Sequence, residues 1–238
     1  MTWVFCAGMI RSGSTLQYQL AAEIVERTSI GFRVAYSPED EFDAVREQLV
    51  VPSQFKVFKA HVCTTTLKRE CLEYDAKVVY SFRDIRDVAV SAMRKFGLSF
   101  HELVTKGWLD QAITDYYNWT SMPMVSISRY EELCVDIHLE VSKISAFLGS
   151  CLSTEDLQNI ADEYGLEQQL ARIKRFNQQR RANISSIGSV FDLKELLHYN
   201  HIHKGEVGGW RNLLSSTESS FLTGRYSSWL LEVGYDLE

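Results

Sequence analysis

The chain has 238 residues, of which 45% are hydrophobic, 24% charged and 12% aromatic. That composition excludes disorder as the main state, because enough apolar surface can be buried to offset chain entropy. The length suits one sizeable α/β domain or two small ones. A net charge of −6 makes the surface a poor general binder of nucleic acid or membrane, and no apolar run is long enough to span a bilayer.

The chain opens on an apolar run at residues 2–9, which reads as a buried parallel strand. It has neither the basic region nor the cleavage site of a signal peptide. The turn Arg11-Ser12-Gly13-Ser14 follows. Apolar residues at 16, 20, 21, 24 and 25 then predict a helix from Thr15 to Arg27. Residues 39–50 predict an acidic, exposed helix. Strands are expected at 55–60 and 77–82. Asp84 is placed to cap the helix through Val88, Val90 and Ala92. One long amphipathic helix is expected over 99–120, and a strand over 124–128 with Pro123 before it. Helices dominate from Glu131 to about 176, a long polar loop covers 177–209, and a last helix covers 217–232. Strands alternating with helices predict a single α/β domain over 1–238, a central parallel sheet flanked by helices. The five cysteines, at 6, 63, 71, 134 and 151, are odd in number and lack CxxC spacing. They point to reduced thiols in a cytoplasmic protein rather than zinc ligands or a disulfide frame.

Four segments carry chemistry. Gly8-Met9-Ile10-Arg11-Ser12-Gly13-Ser14-Thr15 has the GxxxxG spacing of a phosphate loop, between a strand and a helix whose N–H groups would face an anion. Ser14 stands where a nucleoside triphosphatase has lysine, and Arg11 is the cation within the loop, so a less charged transferring group fits better. A plain glycine turn is the alternative. In the second segment Arg83 ends a strand, and Ser91 lies eight residues on, about two helical turns. A guanidinium and a hydroxyl there suit a terminal phosphate. Alone, this stretch is better read as a helix cap with surface Arg–Asp pairs. Third, Lys59 and His61 alternate along a strand and share a face, which sets an ammonium beside a possible general base. A structural histidine is the alternative. Fourth, His203 to Asn212 holds two adjacent cations, three glycines and a tryptophan, either an anion clasp or a flexible loop before the last helix.

Together, and in chain order, the four segments resemble the sulfotransferases that use 3′-phosphoadenosine 5′-phosphosulfate (PAPS), whose P-loop-NTPase-like fold would then apply from residue 3 to about 235. Arg11 to Thr15 is similar to the family's 5′-phosphosulfate loop. Arg83 with Ser91 resembles its 3′-phosphate motif, Lys59 with His61 its Lys-x-His strand end, and His203 to Asn212 its RKGxxGDWKN loop. Arg129-Tyr130-Glu131-Glu132-Leu133 resembles a strand end whose tyrosine approaches adenine. This chain departs from the pattern at Leu16, where a tryptophan often stacks on adenine, at His203, which replaces an arginine, and at Gly209, which replaces an acid. The family's C-terminal dimer signature is missing, and no partner protein is evident.

The resemblance implies one in-line transfer of the sulfuryl group, without a metal, to a small-molecule or carbohydrate acceptor. The product is adenosine 3′,5′-bisphosphate. His61 would be the base, with Lys59 and Arg11 offsetting charge on the leaving oxygens. The N–H groups of Ser12, Gly13, Ser14 and Thr15 would hold the 5′-phosphate, with Leu16 and Tyr130 by the base. Arg83, Ser91, His203, Lys204 and Gly205 would take the 3′-phosphate. The five cations from Arg172 to Arg181 are either an acceptor site or a solvated helix face. Two competing readings are a P-loop kinase or NTPase, which Ser14 opposes, and a catalytically silent nucleotide-binding module, which Lys59 and His61 together oppose.

Overall fold

The computed structural model describes residues 2–49, 54–182, 192, 194–198, 202 and 205–238, with 179–182 as backbone only. The apolar run forms β1 (Thr2–Gly8), and the helix after the glycine turn is α1 (Ser14–Arg27). Then come β2 (Gly31–Arg33), a 3₁₀ turn (Glu39–Glu41), α2 (Phe42–Gln48), β3 (Phe55–Lys59) and α3 (Thr65–Glu73). β4 (Lys77–Phe82) leads into α4 (Ile85–Phe96), α5 (Phe100–Thr105), α6 (Trp108–Thr120) and β5 (Val125–Arg129). Helices complete the chain: α7 (Tyr130–Val135), α8 (Ile137–Leu148), α9 (Thr154–Tyr164), α10 (Leu166–Ala182), α11 (Trp210–Leu213) and α12 (Ser216–Glu232).

The five strands form one parallel sheet in the order β2-β3-β1-β4-β5. The strand period of two sends alternate side chains of β1 to opposite faces. Trp3, Phe5 and Ala7 join the core under α4, α6 and α12, while Val4 and Cys6 join the core under α1, α8 and α9. Both faces are covered, which is why β1 reads as continuously apolar. From β1 the chain goes to the edge strand β2 and back to β3 on one side, then crosses to β4 and β5 on the other. The carboxyl ends of β1 and β4 therefore border a crevice, the usual ligand position in open parallel sheets.

Four expectations are corrected here. The 99–120 stretch is two helices, because Gly107 adopts a left-handed φ of +67° that ends α5 and starts α6. The 39–50 stretch is not simply exposed: Phe42 is fully buried, its ring 4.8 Å from Trp3 and 5.3 Å from Phe58. Edge strand β2 had no place in the sequence reading, since three residues carry too little alternation to stand out. Residues 177–182, expected to open a polar loop, are helical, since α10 continues to Ala182; residues 183–191, 193, 199–201, 203 and 204 lie outside the described set.

Candidate active site

The glycine loop leaves β1 and folds tightly against β4. Met9 N–H donates to Ser81 O at 3.0 Å. A Cβ on Gly8 would lie 2.5 Å from Ser81 Oγ and 2.7 Å from Ser81 O, so the backbone of the next strand would have to move. Gly8→Ala is expected to cost about 2–3 kcal/mol of stability, read as a lower denaturant midpoint at unchanged m-value. Arg11 stands at φ +65° and Gly13 at φ +84°, the left-handed region that a tight loop needs and that a non-glycine residue enters at a cost. Ser12 is fully buried. Its Oγ lies 2.7 Å from Met9 O and 2.9 Å from both Ser81 O and Ser81 Oγ, and its N–H donates to Met9 O at 3.2 Å. Ser12 thus ties the loop down, and its N–H is spent on the protein rather than held out for an anion. Gly13 is the N-cap of α1 with no side-chain cap, which leaves the first-turn N–H groups open to a ligand.

Arg11 and the second segment meet over this loop. Arg11 Nε donates to Ser91 Oγ at 3.0 Å, and Arg83 Nη1 donates to Arg11 O at 3.3 Å. The Arg83 guanidinium stacks on the Tyr130 ring at 4.1 Å, and Nη2 reaches Glu206 O at 2.5 Å. Arg83 Nε is buried without a hydrogen-bond partner. Burial and the nearby Arg83 push the Arg11 guanidinium down to about 10, so Arg11 remains cationic at neutral pH.

The Arg–Asp pairs that sequence alone placed at the surface are buried. Asp84 is 5%, Arg86 1% and Asp87 2% exposed. Asp84 caps α4 by accepting from Arg86 N–H at 2.9 Å. Arg86 stacks on Trp210 at 4.0 Å and donates to Asp236 O at 2.7 Å. Asp87 accepts from the N–H groups of Gly208 at 2.7 Å and Trp210 at 2.9 Å. Three α4-proximal side chains, Arg83, Arg86 and Asp87, therefore clamp the loop at 205–210 over the glycine loop. His203 and Lys204 lie outside the described residues.

A cavity of about 440 Å³ opens between these elements, within the range of small-ligand sites. Of the residues singled out from the sequence, Arg11, Gly13, Thr15, Leu16, Arg83 and Ser91 line it, as do Tyr130 and Gly205. Ser12 and Ser14 do not, nor do Lys59 and His61. Sequence reasoning missed the apolar wall of Leu133, Ile137 and Leu166 and the polar pair Gln19 and Gln169. These come from α1, α7, α8 and α10, and no local motif marks them. In the basic stretch, Lys174 and Arg175 are exposed and Arg172 lies over Tyr164 at 4.1 Å; none of the three lines the cavity.

Lys59 and His61 stand together at the end of β3, on the other side of Gly8. A carbonyl only accepts, so the contact of His61 Nδ1 with Gly8 O at 3.1 Å puts the ring proton on Nδ1. Nε2 then offers its lone pair to Lys59 Nζ at 3.3 Å. Lys59 also donates to Ala60 O at 2.8 Å. Burial, the Lys59 charge and Arg11 push His61 down to about 3, and burial pushes Lys59 down to about 8. The imidazole is neutral and the ammonium charged at pH 7. His61 is held at the backbone too: its N–H donates to Glu39 Oε1, and its carbonyl accepts from Trp119 Nε1 at 2.9 Å.

Among the described residues no group of three or more His, Cys, Asp or Glu side chains could hold a metal ion, and no helix is long and apolar enough to cross a membrane. A parallel sheet with an uncapped helix N-terminus and two guanidinium groups at one cavity defines a class, an α/β domain shaped to receive an anionic ligand. Within that class the chain belongs to the sulfotransferase family, whose Sulfotransferase domain it matches over residues 2–234. Human Sulfotransferase 2A1 is 27% identical over 175 residues, 66% of this chain and 57% of that protein. The chain spans about three fifths of the length of the curated relatives it matches. Mouse sulfotransferase SULT7A1 complexed with PAP has the same fold, with a TM-score of 0.68 at 18% identity over 96% of this chain and 84% of that one. Retinol dehydratase in complex with retinol and PAP gives 0.65 at 20% identity over 99% and 82%.

Proposed function

We propose that the cavity holds PAPS and that the chain, as one domain, passes its sulfuryl group to the hydroxyl of a small-molecule acceptor. The observation that carries this reading is Arg83: buried, stacked on Tyr130, lining the cavity, with Nε left without a partner. An unpaired guanidinium N–H is costly to bury unless an acceptor arrives; the Asp87 carboxylate, 3.4 Å from Nη2, leaves Nε free for one, and phosphate is among the acceptors a planar guanidinium fits. The residues present fit the nucleotide. The open first turn of α1 suits a 5′-phosphate, Arg83 and Ser91 suit a 3′-phosphate, and Leu16, Leu133 and Leu166 form apolar walls for a flat base. Support also comes from the two structural neighbours, both of which hold PAP, adenosine 3′,5′-bisphosphate. One of them also holds retinol, an alcohol.

When bound, PAPS supplies an activated sulfuryl group. His61 Nε2, fixed as the unprotonated nitrogen by Gly8 O, is the atom that takes the acceptor proton. For that, Lys59 Nζ would have to release Nε2, which an anion bound close to the end of β3 would favour. Lys59 and Arg11 then offset charge on the departing oxygens. Burial first, and then those two cations, keep the resting imidazole weakly basic, and an anion close to them would raise its basicity. Five free thiols support the cytoplasmic setting expected from the sequence.

The test is a transfer assay with sulfuryl-labelled PAPS over a panel of hydroxyl acceptors, preceded by thermal shift with PAP. Label on an acceptor supports the reading. No shift and no label across the panel would end it. The Lys59 charge sets an alkaline limit. The ammonium is lost as pH rises through about 8, so kcat/KM, which reports the free enzyme, is expected to fall above that pH. Lys59→Arg keeps its charge to higher pH, and the alkaline limb should move up with it.

A further inference from the structure

In the wall of the cavity, two glutamines form a directed hydrogen-bond relay. Gln19 on α1 is fully buried, Gln169 on α10 is 2% exposed, and both line the cavity. The relay starts at Glu195 O. A main-chain oxygen only accepts, so Gln19 turns its amide nitrogen toward it, at 2.6 Å. That leaves Gln19 Oε1 as the acceptor for Gln169, which donates Nε2 at 2.6 Å. The remaining atom, Gln169 Oε1, is buried with no hydrogen-bond partner. Its role is fixed from the far end, because turning the Gln169 amide over would set oxygen against oxygen at Gln19. An unpartnered acceptor at a cavity wall calls for a ligand that brings a donor.

Its place along α1 says which part of the ligand that is. Gln19 lies six residues beyond Gly13, about 9 Å along the helix at 1.5 Å per residue. It shares a face with Leu16, three residues back. This stretch of the wall includes Leu16 and Leu166, residues suited to a flat ring; the guanidinium beside it, Arg172, stacks on Tyr164 at 4.1 Å and does not line the cavity.

Resting on the reading that the cavity takes an adenine nucleotide, we infer that Gln169 Oε1 accepts from the exocyclic amino group of the base. Gln169 thereby selects adenine over 6-oxopurines. Guanine and hypoxanthine carry an oxygen at that position, which would face Gln169 Oε1 with both acceptors desolvated and unpaired. Gln19 is the positioning residue, since it sets the sense of the Gln169 amide.

Calorimetric titration of the parent protein with three nucleotides tests this. They are the 3′,5′-bisphosphates of adenosine, of inosine, and of purine riboside, which lacks only the amino group. The inosine and purine riboside nucleotides are expected to bind about tenfold more weakly or worse, the scale of one unpaired buried polar group. In Gln169→Met the adenosine nucleotide should fall to the level of the other two. Equal affinities in the parent protein, or a preference for adenosine that survives in Gln169→Met, would overturn the assignment and leave the nucleotide site standing. Absence of saturable binding by adenosine 3′,5′-bisphosphate would overturn the proposed function, and this inference with it. The parent series decides the matter even if Gln169→Met does not fold.

Discussion

His61→Ala is expected to lower sulfuryl transfer about a thousandfold, inside the range that a positioned general base supplies, while PAP affinity stays within about twofold of the parent protein because His61 makes no part of the cavity wall. The split follows from the ring's two nitrogens. Nδ1–H is spent on Gly8 O, and Nε2 is the one basic atom left, facing Lys59 at 3.3 Å. Alanine also removes the contact with Gly8 O, which helps seat the glycine loop. His61→Asn separates the two effects, since its amide N–H replaces Nδ1–H without supplying a base. Both variants should lose turnover alike. Transfer within tenfold of the parent protein in either one would remove His61 from the chemistry.

Arg83→Ala is expected to weaken PAP binding at least about a hundredfold, the scale of losing one partner of a desolvated, charge-assisted contact. Adenosine 5′-phosphate, which lacks the 3′-phosphate, should lose only a fewfold. The comparison is needed because Arg83 also donates to Arg11 O and Glu206 O, so its removal loosens the loops on both sides of the cavity. That loosening weakens both nucleotides alike, and only the difference between them reports the 3′-phosphate contact. Arg83→Lys keeps the charge but not the plane that stacks on Tyr130, and its affinity should fall between parent and alanine variant. Equal losses for the two nucleotides in Arg83→Ala would refute the assignment.

Four of the five strands and the strand–helix junction at the glycine loop were legible because each is local. β1 and β4 announce themselves as apolar runs and β3 by Val57 and Phe58, Gly8 and Gly13 sit at a strand–helix junction, and Asp84 precedes a helical pattern it caps. Strand alternation alone put Lys59 and His61 on one face, where the structure sets them 3.3 Å apart. Their engagement with each other and with Gly8 O depends on burial, which spacing does not encode. Asp84, Arg86 and Asp87 look like surface charges in any local window. They are buried because a loop 121 residues further on brings the Gly208 N–H to Asp87, with Trp210 beside it. The Gln19–Gln169 pair spans 150 residues, and glutamine on a helix carries no signal of its own. Gly107 could have marked the break between α5 and α6, but a glycine inside a helical pattern does not always end it, and only its positive φ shows that here it does.

The account depends on one cavity gripping both phosphate ends of a single adenine nucleotide. Titrating the parent protein with adenosine 3′,5′-bisphosphate, adenosine 5′-phosphate and adenosine 3′-phosphate tests that claim most directly. The predicted result is one saturable site at which the bisphosphate binds at least about tenfold tighter than either monophosphate, each lost phosphate forfeiting a charge-assisted contact. Equal affinity for all three, or no binding of the bisphosphate, would contradict it.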